Sequence, residues 1–112
     1  MIRLFCGWDK REAAGLSVFV NSVVSRASES VSIIPIHGQQ GNGSNAFTYS
    51  RFSIPKLCDY EGWAIFADGS DMVCNADIAE LWNLRDEKYA VQVVKNTYKT
   101  SAKSKYIGTD ME

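Results

Sequence analysis

Apolar positions along this chain alternate between short continuous runs and helically spaced stripes. Ile2 to Cys6 is an apolar run bounded by Gly7, and it reads as a buried strand. Asp9 follows, with Glu12 three residues on, the spacing of an N-cap and its reciprocal partner with Asp in place of Ser or Thr. Ala13, Leu16, Val20, Val23, Val24 and Ala27 then recur at helical spacing. They predict a helix from about Lys10 to Ala27 that turns this stripe to a core, ended by Ser28-Glu29-Ser30. Val31 to Ile36 is β-branched, and Pro35 near its end marks an edge or a strand terminus. From His37 to Asn45 there are three glycines and no hydrophobic residue, the composition of a mobile loop. Phe47 to Leu57 sets Phe47, Tyr49, Phe52, Ile54 and Leu57 around Arg51 and predicts a short helix interrupted at Pro55. Trp63 to Ala67 is apolar throughout, as a strand covered on both faces would be. It stops at Asp68-Gly69-Ser70-Asp71, after which Met72, Val73 and Cys74 resume an extended segment. Asp77 and Glu80 repeat the cap pair ahead of a two-turn helix carrying Ile78, Leu81 and Leu84. Tyr89 to Val94 is read as the last strand, and Lys95 to Glu112 as a polar tail.

Strands alternating with helical segments predict an α/β fold, a mainly parallel sheet sandwiched by helices. Ligands of such sheets bind beyond the carboxyl ends of the strands. The first strand ends in Cys6-Gly7-Trp8-Asp9 and the third in Asp68-Gly69-Ser70-Asp71. If both strands are central, these two loops face one crevice.

Composition narrows the partners. The 112 residues suit one domain, 1–112, with a modest core. Hydrophobic residues at 46% and charged ones at 22% belong to a folded globular protein. A net charge of -1 implies no broad basic surface, so nucleic acid is not the expected partner. No apolar run approaches the ~20 residues of a membrane span, and Arg3, Asp9, Lys10, Arg11 and Glu12 break any apolar leader. Cys6, Cys58 and Cys74 are odd in number with no Cys-x-x-Cys spacing, and His37 is the only histidine. Three reduced, largely buried thiols in a cytoplasmic protein are expected rather than a structural zinc site.

Asp68 and Asp71 carry the strongest chemical signal. Two carboxylates at the mouth of an apolar strand repel each other unless a cation or partner lies between them. Mg²⁺ or Mn²⁺ takes a few protein oxygens and completes its shell with phosphate and water, so the pair suits a metal-bound diphosphate. The same four residues also make a good solvated turn. Arg51 offers a guanidinium to phosphate or a base, or an ion pair to a carboxylate such as Asp68. Gly7, Trp8 and Asp9 place a small residue and a helix N-terminus at a strand end, where Asp9 either accepts from a nucleoside or caps its helix. The loop with Gly38, Gly41 and Gly43 lacks a P-loop ending, His37 reads as a loop residue, and the lysine-bearing tail as solvated.

Three segments in order resemble a known family. They are Phe47-Thr-Tyr-Ser-Arg-Phe-Ser-Ile-Pro-Lys-Leu57, Gly62-Trp-Ala-Ile-Phe-Ala-Asp-Gly-Ser-Asp-Met-Val73 and Asp77-Ile-Ala-Glu-Leu-Trp82. Together they are similar to the GT-A glycosyltransferases of the glycogenin and lipopolysaccharide galactosyltransferase type. In that family an aromatic-arginine-proline-leucine helix precedes an apolar strand ending in D-x-D. The opening strand with Gly7-Trp8-Asp9 matches as well, so the resemblance runs from Ile2 to about Val94. It implies a Rossmann-like, nucleotide-diphospho-sugar transferase fold, truncated to the nucleotide-binding half. It also implies Mn²⁺ or Mg²⁺, a nucleotide-activated donor with a UDP-sugar favoured, and an unknown acceptor. Carried over, Asp71 is the direct metal ligand, Asp68 holds ribose or metal, Arg51 meets the diphosphate or sugar, and the backbone from Cys6 to Asp9 meets the nucleoside. The motif here is one residue longer than D-x-D, so only Asp71 aligns directly, and no histidine follows it to supply the family's further metal ligand. The alternative reading is a non-catalytic nucleotide-binding or dimerising module of the same fold, with homo-oligomers expected if a sheet edge is left open.

Overall fold

A computed structural model describes residues 1–37 and 49–97. Among these residues the centre is a three-stranded parallel sheet in the order β2-β1-β3. Strand β1 (Ile2–Trp8) runs beside β2 (Val31–His37) and β3 (Ile65–Ala67). Parallel neighbours cannot be joined by a tight turn. Helix α1 (Ala13–Val24), entered through a 3-10 turn at Lys10–Glu12, makes the crossover from β1 to β2. A 3-10 turn at Ser50–Ser53 leads directly into α2 (Ile54–Leu57) ahead of β3, and α3 (Ile78–Trp82) follows it.

Register explains where the core sits. Leu4 is aligned with Ile33 on one side and Ile65 on the other, Ile2 with Val31, and Cys6 with Ala67. Alternate side chains share a face, so these residues form one apolar surface, packed by Leu16, Phe19 and Val23 of α1 and by Ile78 and Ala79 of α3. The opposite face carries Phe5, buried, between Ile34 and Phe66. There the 3-10 turn at Ser50–Ser53 covers it: Arg51 lies over the Phe66 ring at 5.0 Å, and the Ser50 hydroxyl donates to the His37 carbonyl at 3.2 Å. Helical segments thus lie on both faces of a parallel sheet, the expected α/β arrangement.

Several expectations need correction. Strand β1 continues two residues past Cys6, so Gly7 lies within it, opposite Ile36, rather than beyond its end. Helix α1 ends at Val24, not Ala27, and its buried stripe is rotated: Phe19 and Ser22 face inward, while Ala13 and Val24 are exposed. The Ser22 hydroxyl accounts for the rotation, because it donates to the Phe19 carbonyl at 2.6 Å and accepts from the Cys74 amide at 2.8 Å, a satisfied polar group inside the core. As the residue preceding α1, Glu12 makes no side-chain capping bond to that helix. Strand β3 is only half-buried and omits Trp63 and Ala64. The backbone before it is tied instead to Arg3, which donates to the Trp63 carbonyl at 2.9 Å and the Glu61 carbonyl at 2.7 Å. Met72 to Cys74 is irregular.

The largest departure is Tyr89 to Val94, which forms no strand and is exposed along its length. A strand exists only through a ladder with a neighbour, and among the described residues none lies beside this segment. Asp77, by contrast, caps α3 as expected, accepting from the Ala79 amide at 2.9 Å and from the Ser28 amide at 3.2 Å. Hydrogen bonding from Ser28, and then from Ala79, holds its carboxyl below the usual range. The glycine loop from Gly38 on and the tail beyond residue 97 lie outside the described residues.

Candidate functional site

Because all three strands are parallel and adjacent, their carboxyl ends open at one edge of the sheet. There β1 delivers Trp8 and Asp9, β2 delivers His37, and β3 delivers Asp68. The expected crevice-forming pair of loops is therefore brought to the same end, after neighbouring strands.

Each predicted residue has a definite place. Trp8 is aligned with His37 across the β1–β2 ladder, and their rings meet at 5.1 Å with a 49° tilt. Together with Leu16 and Pro35 they line an open depression. Asp9 is 3% exposed and caps the helical entry. Its carboxylate accepts from the Arg11 amide at 3.0 Å and from the Arg11 guanidinium at 3.0 and 2.6 Å. Of its two readings, the capping one is what the geometry displays, and the carboxylate faces its own helix. Gly7 is buried beside it in β1.

Arg51 and Asp68 are brought together, with guanidinium Nη2 3.6 Å from Asp68 Oδ1. That is an ion pair beyond good hydrogen-bond length. With both side chains more than a third exposed, at 38% and 47%, such a pair contributes only ~0–1 kcal/mol. Arg51 is held from below by Phe66. Asp68 Oδ1 is itself buried and accepts no hydrogen bond. A buried carboxylate oxygen without a hydrogen-bond donor is unusual, and a cation closer than the Arg51 guanidinium at 3.6 Å would relieve it. Asp71 stands exposed three residues later. Two carboxylates are enough protein oxygen for a Mg²⁺ or Mn²⁺ that also binds diphosphate and water, although among the described residues no group of three or more His, Cys, Asp or Glu side chains converges.

Between the carboxylates the turn is anchored to the protein. Gly69 has φ +75°, a conformation that favours glycine, and a side chain there would meet Leu16 and Phe19 at 3.2 Å. Gly15 of α1 lies directly against the Ser70 carbonyl. Sequence reasoning missed Gly15, Ser22, Ser50 and the ring contact of His37. Of these only Gly15 left a signal, since a glycine inside a helical pattern costs about 1 kcal/mol against alanine.

Cys6 sits on the core face of β1, fully buried, and burial pushes its thiol up to about 11. Native alkylation is expected to label Cys58 and Cys74, both partly accessible, and to spare Cys6 until the protein is unfolded. Mass mapping of the labelled peptides checks this, and rapid native modification of Cys6 would contradict the burial.

Comparison with known proteins adds an independent finding. The model of the family described as Glycosyl transferase family 8 matches residues 37–112. Protein CDI of Arabidopsis thaliana is 38% identical over 120 aligned residues, covering 95% of this chain and 45% of that protein. The chain thus spans less than half the length of this curated relative. No solved structure matches it.

Proposed function

This chain belongs to glycosyl transferase family 8, and from that premise we propose that it holds a nucleotide-activated sugar, a UDP-sugar, at the carboxyl edge of its sheet for transfer to an acceptor. The observation that carries the reading is the buried, donor-less Asp68 Oδ1 beside Arg51 at the end of β3. Asp68 and Asp71 would hold a divalent cation, Mn²⁺ or Mg²⁺, between them. When bound, that ion supplies charge neutralisation for the departing nucleoside diphosphate.

The chain's own groups do the rest. Arg51, seated over the Phe66 ring beside Asp68, would meet the diphosphate oxygens, which a planar guanidinium fits in bidentate fashion. The β1 terminus from Gly7 to Asp9 presents backbone groups to the nucleoside. The Asp9 carboxylate, engaged by Arg11, keeps that backbone in place rather than reaching the ligand. Binding and orientation of the leaving group are thereby supplied on one side of the reacting bond.

Isothermal titration of the chain with UDP tests the reading. Binding is expected in Mn²⁺ and its loss in EDTA. Equal heats in both conditions, or none in either, would reject the metal-bridged donor site. Release of UDP from a UDP-sugar then separates a transferase from a domain that binds only.

A further inference from the structure

We propose that helix α1 is the positioning element of the donor site, gripping the acidic turn at two points through Gly15 and Ser22. The proposal rests on the donor-site reading above and names the residues that set its geometry. The first grip is steric. A methyl group at Gly15 would lie 1.9 Å from the Ser70 carbonyl oxygen and 2.9 Å from its carbon. Those are main-chain atoms, which cannot swing aside as a side chain can, so any residue larger than glycine pushes the turn off the helix. A helix interior otherwise favours alanine over glycine, and the close approach of Ser70 is the reason glycine suits this position.

The second grip is a hydrogen bond. Ser22, 5% exposed and two turns further along α1, accepts from the Cys74 amide at 2.8 Å. Cys74 lies three residues beyond Asp71, so the two contacts bracket the second carboxylate. Gly69 completes the seat by packing on Leu16, Phe19 and Cys6 from its left-handed conformation. The inner edge of the turn is therefore clamped to α1, while Asp71 projects to solvent. Metal and diphosphate recognition tolerates displacements of only about 0.5 Å. Gly15 and Ser22 touch no ligand in this scheme and act through the turn.

The test compares the wild-type chain with Gly15→Ala and Ser22→Ala by amide NMR and by Mn²⁺–UDP titration. In Gly15→Ala the resonances of Gly69 to Met72 are expected to shift without ligand and the affinity to fall at least tenfold, while the far-UV spectrum and the β1 resonances persist. In Ser22→Ala the shift centres on Cys74 and the affinity falls about threefold. A merely structural role would lower the Tm of both variants and leave the turn resonances and the affinity unmoved. That result, or wild-type affinity in both variants, overturns the positioning role and leaves the donor site standing. If Gly15→Ala does not fold, Ser22→Ala alone decides. Absence of Mn²⁺–UDP binding in the wild-type chain overturns the donor site itself.

Discussion

Asp71→Ala is expected to weaken Mn²⁺-dependent UDP binding at least about a hundredfold, ~2.7 kcal/mol, while leaving the Tm of the ligand-free chain unchanged within ~0.5 kcal/mol of stability. The two halves of that expectation have separate causes. Asp71 is exposed and lies outside the core, so the fold does not depend on its side chain. Its charge matters only when a cation draws on it together with Asp68. Removing one of two carboxylates leaves a divalent ion with half its protein charge, and Mg²⁺ or Mn²⁺ holds few protein ligands to begin with. Without a cation, deletion also relieves like-charge repulsion with Asp68, which pushes apo stability upward if anywhere. Titration and thermal melts on the same preparation read both halves. Undiminished Mn²⁺-dependent binding in Asp71→Ala would remove Asp71 from the site. A large fall in Tm would recast it as a structural residue.

Asp68 is expected to behave differently because it has a partner. Its Oδ1 lies 3.6 Å from Arg51 and is shielded from water. Arg51 and Asp68 thus form a preassembled but loose pair, charge held near the place where diphosphate charge would arrive. The ordinary ion-pair reading and the ligand reading of Arg51 are therefore compatible. The first describes the ligand-free chain, and the second is the proposal for the bound one.

What could be read from the residues followed from local rules. The apolar run of β1, the β-branched run of β2 and the Asp77 cap each depend on neighbours within a few positions, and each appears in the structure. A crevice shared by the first and third strand ends was conditional on both strands being central. Among the described residues β1 is central and β3 lies at the sheet edge, and the two loops meet because the strands are neighbours, Phe5 aligned with Phe66. The failures were tertiary. Ser22 has no place in the apolar stripe of the helix, yet its hydroxyl is satisfied by a segment 52 residues away, which turns it inward in place of Val24. His37 read as the start of a loop because its ring partner, Trp8, belongs to another strand. Tyr89 to Val94 has strand composition, but composition cannot supply the neighbouring ladder a strand needs. In the candidate site, Asp68 and Arg51 were legible as charged residues beside an apolar strand. The seat that holds their turn was not, since it depends on a helix glycine meeting a carbonyl 55 positions later.

Burial, not residue type, should decide stability in this chain, and Leu4→Ala against Val93→Ala makes the point measurable. Leu4 is 0% exposed at the middle of the central strand, flanked by Ile33 and Ile65 and covered by α1 and α3. Truncating it removes buried methyl groups and leaves a cavity that a close-packed sheet and helix cannot collapse into, at a cost of about 2–5 kcal/mol. For a domain of this size each kcal/mol lowers Tm by roughly 4–8 °C, so a fall of more than about 10 °C is expected. Val93, 85% exposed in the irregular segment after α3, loses nothing comparable, and Val93→Ala should stay within about 0.5 kcal/mol of the parent. Thermal denaturation of the two variants reads the difference directly. Comparable losses in both would mean that Tyr89 to Val94 is packed in solution. The three-stranded core would then have a fourth member, and the carboxyl edge carrying Trp8, His37 and Asp68 would need to be redrawn around it.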